Sequence, residues 1–153
     1  MPGPPTIEIR PAVPRDEETI LGIVGAAYRE YLDRMDTPPG PMLDDYSARI
    51  GNGEAYLLLL NTTAAAVLVL IDCDGYLLLD NVAVPPEHQG KGLGRLLVDF
   101  AESQARDRGY AEIRLYTHIV MEANVGYYEN LGWQETHRAE QVGYQRVFMR
   151  KLL

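Results

Sequence analysis

The chain has 153 residues, a length that predicts one domain with one hydrophobic core. Its hydrophobic content of 46% is typical of a folded protein, and its net charge of −8 disfavours nucleic acid, whose binding needs a basic surface. No apolar run is long enough to cross a membrane, and a single cysteine excludes an internal disulfide. We therefore expect a cytoplasmic protein that forms a single domain over residues 1–153, with residues 1–5 disordered.

The first half of the chain predicts strands and helices in turn. Alternating or continuous apolar residues predict strands, and apolar residues at every third or fourth position predict helices. Segments rich in proline, glycine and asparagine separate the elements. The predicted elements are a strand at 6–10, a helix at 15–35, a short helix at 43–50, and strands at 55–60 and 64–72.

The second half of the chain continues this alternation. The predicted elements are a strand at 77–84, a helix at 93–108, a strand at 112–117, a helix at 123–130, and strands at 133–138 and 145–150. Short links between the strands from 55 to 84 predict an antiparallel meander. The helix between the strands at 77–84 and 112–117 predicts that these two strands lie side by side and parallel.

The turn before the helix at 93–108 carries three glycines at every second position, Gly90, Gly92 and Gly94. Glycines allow a ligand to approach the backbone closely, and the first turn of a helix has N–H groups that lack intrahelical partners and favour anions. Lys91 and Arg95 add positive charge. The sequence therefore predicts that this turn binds a phosphate or a pyrophosphate.

Three phosphate-binding patterns compete for this turn. A P-loop needs Ser or Thr directly after Gly90-Lys91, but Gly92 stands there. A dinucleotide fingerprint needs Gly-x-Gly-x-x-Gly, whereas the spacing here is Gly-x-Gly-x-Gly. The third pattern, Gln/Arg-x-x-Gly-x-Gly/Ala, matches residues 89–94 and follows a strand that ends in Val-Ala-Val-Pro at 82–85. This combination resembles the acetyl-CoA site of the GCN5-related N-acetyltransferase (GNAT) superfamily.

The resemblance covers almost the whole chain and implies its fold. The predicted order β-α-α-β-β-β-α-β-α-β-β agrees with the GNAT fold, an α+β protein with three α/β layers. Such a protein has a mixed, mostly antiparallel seven-stranded sheet with helices on both faces. The resemblance is most specific at residues 82–97 and 124–133.

The resemblance also implies a cofactor, acetyl-CoA. In this family the two central parallel strands separate, and the pantetheine arm of the cofactor lies in the gap and bonds to backbone groups of the first strand. The residues thereby implied in cofactor binding are Val82, Ala83, Val84, Gln89, Gly90, Lys91, Gly92, Leu93, Gly94, Arg95 and Asn124.

A tyrosine on the helix after the next strand is the second family signature. Here residues 124–133 are NVGYYENLGW, which resembles the family's Tyr-Glu-Lys-Leu-Gly-Phe ending. The resemblance implies that Tyr128 is the catalytic residue, a general acid toward the CoA thiolate. We expect its neighbour Tyr127 to be a packing residue.

The chain departs from the family pattern at two positions. Met121 stands where many members carry asparagine, and Tyr116 stands where some relatives carry a glutamate base. A tyrosine does not serve as a base near neutral pH, so the general base stays open. The candidates are Asp80, Glu122, His118, Glu30 and a bound water relay.

The acceptor pocket is expected from residues 28–46 and the last hairpin, which are rich in aromatic and polar side chains. The candidate substrate-binding residues are Tyr28, Tyr31, Arg34 and Met42, with Tyr46 nearby. Arg34 can pair with a substrate carboxylate, although helix packing explains the same residues equally well. No metal site is expected, because His118 and His137 have no cysteine or second histidine at ligand spacing.

The expected activity is transfer of the acetyl group of acetyl-CoA to a primary amine of a small molecule or peptide, by direct attack in a ternary complex. A covalent relay through Cys73 is disfavoured, because Asp72 and Asp74 would raise the pKa of its thiol. The alternative is an acyl-CoA-binding sensor without turnover. We expect a monomer or homodimer with no nucleic-acid or membrane partner.

Overall fold

The computed structural model describes residues 3–153, and the chain divides into two compact units. The first unit runs up to Leu70 and includes Asn81–Phe100, and the second unit comprises Ile71–Asp80 and Ala101–Leu153. The expected disorder of residues 1–5 falls partly on the first two residues, which lie outside the described residues. Residues 3–5 are exposed and belong to no helix or strand.

Seven strands of the described residues form one mixed, mostly antiparallel sheet, which confirms the predicted α+β class. The strands are β1 Ile7–Pro11, β2 Ala55–Leu60, β3 Thr63–Asp72, β4 Leu77–Ala83, β5 Glu112–His118, β6 Gln134–Gln141 and β7 Tyr144–Leu152. Their spatial order is β1-β2-β3-β4-β5-β7-β6. β4 and β5 are parallel, whereas β1 with β2, β2 with β3, β5 with β7, and β6 with β7 are antiparallel.

The helices occupy the connections between these strands. The α-helices are α1 Glu17–Tyr28, α2 Gly40–Leu43, α3 Tyr46–Gly51, α4 Leu93–Asp107 and α5 Ala123–Asn130. Short 3₁₀ helices span Pro14–Asp16, Arg29–Arg34, Pro86–His88 and Ile119–Met121. The apolar stripe of α4 is buried, and its buried members are Leu93, Leu97, Val98, Ala101 and Ala105.

Two predicted helices differ from the structure. The helix predicted over 15–35 is α-helical only to Tyr28 and continues as the 3₁₀ helix Arg29–Arg34, which buries no residue and so gains little from packing. The helix predicted over 43–50 is two helices, α2 and α3. The second one restarts because the Asp45 carboxylate caps it, accepting a hydrogen bond from the Ala48 N–H at 3.1 Å.

Strand boundaries shift by a few residues from the predicted ones. Pro11, expected to end the first strand, belongs to β1; this strand lies at the edge of the sheet, where a residue without an N–H is tolerated. The last hairpin is longer than predicted, since β6 reaches Gln141 and β7 begins at Tyr144. The short link Val142-Gly143 places both residues at positive φ.

The parallel pairing of β4 with β5 is short. Leu77 lies opposite Ile113 and Leu78 lies opposite Arg114, although β4 continues to Ala83 and β5 to His118. Two residues beyond this pairing, a side-chain hydrogen bond joins the strands: the Tyr116 hydroxyl donates to Asp80 Oδ1 at 3.0 Å. Backbone pairing therefore gives way to side-chain contact along this pair of strands.

Candidate functional site

The glycine turn of the first unit has a backbone that favours glycine. Gly90 and Gly92 have φ of +80° and +78°, in the left-handed region where other residues are strained. The space where a Cβ of either residue would lie is open. α4 begins at Leu93, and Leu96 N–H donates to the Gly92 carbonyl at 3.2 Å. The N–H groups before Leu96 thus form the unpaired first turn that favours an anion.

Side-chain hydrogen bonds hold this turn to the end of β4. Gln89 Nε2 donates to the Val84 carbonyl at 3.0 Å, and Lys91 Nζ lies 3.2 Å from His88 Nδ1. Lys91 and Arg95 are exposed, and neither is within 4 Å of an acidic side chain among the described residues. The structure therefore uses the Gln89 side chain to shape the turn and leaves two cationic side chains available to a ligand.

A buried polar network that the sequence did not reveal surrounds Asn81 on β4. Asn81 is only 3% exposed. Its Oδ1 accepts from the Tyr28 hydroxyl at 2.6 Å, and its Nδ2 donates to the Tyr46 hydroxyl at 3.0 Å. The Tyr46 hydroxyl donates to the Pro41 carbonyl at 2.5 Å, and the Tyr28 hydroxyl lies 3.2 Å from the Val82 carbonyl. The signal was an amide that follows Asp80 in a strand whose other residues are apolar.

The predicted substrate-binding residues lie in the first unit, and three of them form a chain of ring contacts. The rings of Tyr28 and Tyr31 are 6.4 Å apart, and the Arg34 guanidinium lies 4.8 Å from the centre of the Tyr31 ring. Met42 is half-buried on α2. Tyr46, expected near this pocket, is a core residue with 2% exposure, and the Asn81 amide links its hydroxyl to that of Tyr28.

The tyrosine predicted to be catalytic lies on α5 in the second unit. Tyr128 is half-buried, and its ring meets Tyr127 and Trp133 edge-on at 5.3 and 5.7 Å. Its hydroxyl has no hydrogen-bond partner among residues 3–153. Burial, with a smaller contribution from Tyr127, raises the pKa of Tyr128 well above its ordinary value. The phenol therefore keeps its proton at neutral pH and can act as a donor. Asn124 lies one turn before it on the same helix.

The candidate general bases differ in their exposure and in the groups that they contact. His118 Nδ1 accepts from the Val120 N–H at 3.1 Å, which leaves the proton of the neutral ring on Nε2. Burial and then Arg146 lower the pKa of His118, so the ring is neutral and its accepting nitrogen is occupied. Glu122 is exposed and lies 3.5 Å from Arg138. Glu30 is exposed beside Tyr31.

Asp80 differs from these three candidates. It is half-buried on β4, two residues before Val82, and it accepts the hydrogen bond from Tyr116 described above. Tyr116 occupies the position where some relatives carry a glutamate. The Asp80 carboxylate is thus hydrogen-bonded to the side chain that replaces this glutamate.

Other classes of site have no support in the described residues. Within residues 3–153, no cluster of three or more His, Cys, Asp or Glu side chains could hold a metal ion. No helix of the same residues combines the length and apolarity needed to cross a bilayer. Cys73 is half-buried in the turn between β3 and β4, where its thiol lies 3.7 Å from the Ile71 carbonyl.

Comparison with known proteins identifies the family. The model of the acetyltransferase (GNAT) family matches residues 16–133, so the chain belongs to this family. The resemblance noted in the sequence is thereby confirmed.

Individual relatives agree with this assignment. The human N-acetyltransferase 8B is 37% identical over 58 residues, which are 38% of this chain and 26% of that protein. The matched segment spans little more than a quarter of the length of the human protein and of a related mouse protein, the probable N-acetyltransferase family 8 member 5.

Solved structures confirm the expected GNAT fold. The PaiA N-acetyltransferase from Thermoplasma acidophilum, in complex with coenzyme A, matches with a TM-score of 0.81 at 17% identity over 97% of this chain and 99% of that one. The ribosomal-protein-S18-alanine N-acetyltransferase from Escherichia coli matches with a TM-score of 0.77 at 21% identity, covering 96% and 94%.

Proposed function

We propose that this protein transfers the acetyl group of acetyl-CoA to a primary amine of a small molecule or peptide. Membership of the acetyltransferase family and the coenzyme A bound to a relative of the same fold support acetyl-CoA as the cosubstrate. The observation that carries the proposal is the turn before α4, where Gly90 and Gly92 both adopt the left-handed conformation. A turn of this kind before a 15-residue helix is suited to bind a pyrophosphate.

The residues of the first unit have the cofactor-binding roles in this proposal. The N–H groups at the start of α4, with Lys91 and Arg95, bind the pyrophosphate. Backbone groups of residues 82–84 bind the pantetheine arm. Gln89 keeps the turn in its conformation through its bond to the Val84 carbonyl. Asn124, on α5, completes the proposed set.

The residues of the second unit have the chemical roles. Asp80, directly or through a water, takes a proton from the substrate ammonium. The amine nitrogen then forms a bond to the thioester carbonyl carbon, the carbon–sulfur bond breaks, and its electron pair leaves on sulfur. The acylated nitrogen loses its remaining extra proton to water, which leaves a neutral amide. Tyr128 donates its proton to that thiolate and regains one from water, a role supported by its hydroxyl, which has no partner among the described residues.

Direct transfer is the proposed mechanism because the chain offers no credible nucleophile. Cys73 is the single cysteine, and it lies between two aspartates. Holding amine and thioester together supplies the orientation advantage that makes a covalent relay unnecessary. We also propose a cytoplasmic, single-domain enzyme acting as a monomer or homodimer. The lack of a cysteine pair supports only the cytoplasmic location.

Calorimetric titration with acetyl-CoA, NAD and ATP tests the cofactor. Saturable binding of acetyl-CoA that is tighter than binding of either nucleotide is the expected result. A protein that binds no acetyl-CoA at millimolar ligand contradicts the proposal. Release of free CoA with at least one amine of a broad panel, followed with a thiol reagent, then separates an enzyme from a sensor that binds acyl-CoA without turnover.

A further inference from the structure

The second unit contains an open cavity of about 490 Å³ that the proposed acetyl-CoA chemistry does not use. All of its walls come from the second unit. The lining residues that matter here are Tyr76, Arg114, Tyr116, His137, Phe148 and Arg150. Aromatic rings and cationic side chains thus share one cavity in a chain whose net charge is −8.

The strand register explains how these side chains meet. β5 and β7 are antiparallel, with Arg114 opposite Arg150 and, two residues along, Tyr116 opposite Phe148. Residues two apart on a strand point to the same face. On β6, His137 lies opposite Phe148, and the two rings stack with centres 4.3 Å apart. One face of these three strands therefore presents both cations and flat rings.

Two arginines of this face are held by aromatic rings. The guanidinium of Arg114 lies 4.0 Å from the centre of the Tyr76 ring, and that of Arg146 lies 4.2 Å from the centre of the Tyr116 ring. A guanidinium that stacks on a ring still has its N–H donors, which point outward in the guanidinium plane and can bind an acceptor there. Arg114 uses two of its donors on the carboxylate of Glu112, at 3.1 Å each.

Arg150 is the member of this face without a fixed partner. It is half-buried, and among residues 3–153 it makes no hydrogen bond and no ion pair within 4 Å. The charge of Arg150 contributes to the lowered pKa of the Glu112 carboxyl group. Both oxygens of that carboxylate, however, accept hydrogen bonds from Arg114. Arg150 therefore lines the cavity with five unused donors.

We propose that this cavity binds the anionic end of the acceptor, which is then a small amine that also carries a carboxylate or phosphate. The inference rests on the proposed acetyltransferase function. Arg150 offers the planar fork that matches an oxyanion with two parallel hydrogen bonds. Arg146, over the Tyr116 ring of the same face, supplies further positive charge, which offsets the repulsion of an anion by the acidic chain.

The amine end of such an acceptor has a partner beside the same cavity. Tyr116 lines the cavity, and its hydroxyl is bonded to Asp80, the proposed base. An acceptor whose oxyanion is held at Arg150 therefore has a path for its ammonium proton: the Tyr116 hydroxyl accepts that proton while it passes its own to Asp80.

Direct titration followed by NMR of the arginine Nε–Hε signals tests this site without turnover. The ligands are two matched pairs, 4-aminobutyrate with 4-aminobutanamide and O-phosphoethanolamine with ethanolamine, which separate carboxylate from phosphate. The expected result is a saturable shift of the Arg150 signal by at least one anion and not by its neutral partner. No saturable shift from either anion, or an equal shift from its neutral partner, overturns the proposal.

Turnover with the same pairs provides the second test. Wild type should prefer the anionic acceptor by about 10- to 100-fold in kcat/KM, the effect of a charged hydrogen bond. Arg150→Gln should remove most of this preference, and Arg15→Gln, a change at an exposed arginine of the first unit outside both proposed sites, should keep it. An unchanged preference in Arg150→Gln contradicts the proposal.

The two proposals fail in different ways. Acetyl-CoA binding and CoA release without a response of Arg150 to either anion would overturn the anion site alone. A response of Arg150 to an anion in a protein that releases no CoA would support the anion site and overturn the proposed acetyl transfer.

Discussion

The surroundings of Asn81 in the first unit and of Arg150 in the second differ in how far their polar groups are satisfied. Asn81 is buried, and its amide oxygen and nitrogen both have tyrosine partners at 2.6 and 3.0 Å. Arg150 lines a cavity and makes no hydrogen bond or ion pair among the described residues. Both are polar residues on strands, yet one is saturated by the protein and the other is not.

This difference separates structural polar groups from binding groups. A buried polar group must be paired within the protein, since an unpaired one costs about 1–3 kcal/mol. A half-buried group that water can reach tolerates the lack of a protein partner and is then ready for a ligand. The same distinction applies to the first turn of α4 and to the Tyr128 hydroxyl, whose donors likewise have no partner within residues 3–153.

The largest expected effect lies at the glycine turn. Gly92→Asp places a carboxylate against the pyrophosphate site and should weaken acetyl-CoA binding by at least about 100-fold, measured by calorimetry. Gly53→Asp is the matched control, because Gly53 also has positive φ, +71°, and open space around its Cβ position. Equal affinity in the two variants would mean that the turn does not bind the cofactor.

The next effect concerns the unpartnered hydroxyl of α5. Tyr128→Phe keeps the ring and should lower kcat by about 10²–10⁴-fold, the usual cost of losing a general acid, while acetyl-CoA affinity stays unchanged. Tyr127→Phe removes the neighbouring hydroxyl, which is on a 41% exposed residue, and should leave kcat near that of wild type. A wild-type rate in Tyr128→Phe would show that Tyr128 is not the general acid and that water protonates the thiolate.

The smallest expected effect is on stability and tests the comparison itself. Asn81→Ala leaves the Tyr28 and Tyr46 hydroxyls without their amide partner and should lower the free energy of unfolding by about 1–3 kcal/mol in urea. Arg150→Gln removes no protein contact of this kind and should stay within about 0.5 kcal/mol of wild type. A larger loss of unfolding free energy for Arg150→Gln than for Asn81→Ala would contradict the distinction between a structural Asn81 and a ligand-binding Arg150.

The sequence was most informative where the determinants are local. The glycine spacing at 89–94 predicted a turn before a helix, and the structure has Gly90 and Gly92 in the conformation that such a turn uses. The strand predicted from the apolar run at 55–60 and the helix predicted at 123–130 have the bounds of β2 and α5. These features depend on residues a few positions apart, so a pattern in the chain is sufficient to find them.

Features that depend on distant residues escaped the sequence. Asn81 is 53 residues from Tyr28 and 35 from Tyr46, so nothing local indicated their network. The sequence did not show that Tyr46 is buried in the core by this network. The approach of Arg114 to Arg150 depends on the register of β5 with β7, which hydrophobic pattern alone does not set. The role of Tyr128 stays a prediction.

Initial rates measured over a matrix of acetyl-CoA and amine concentrations test the central claim most directly. The best acceptor of the amine panel is used with wild type and with Cys73→Ala. Direct transfer in a ternary complex predicts intersecting lines in a double-reciprocal plot and nearly wild-type turnover for Cys73→Ala. Parallel lines, together with loss of activity in Cys73→Ala, would show an acetylated enzyme intermediate and contradict the account.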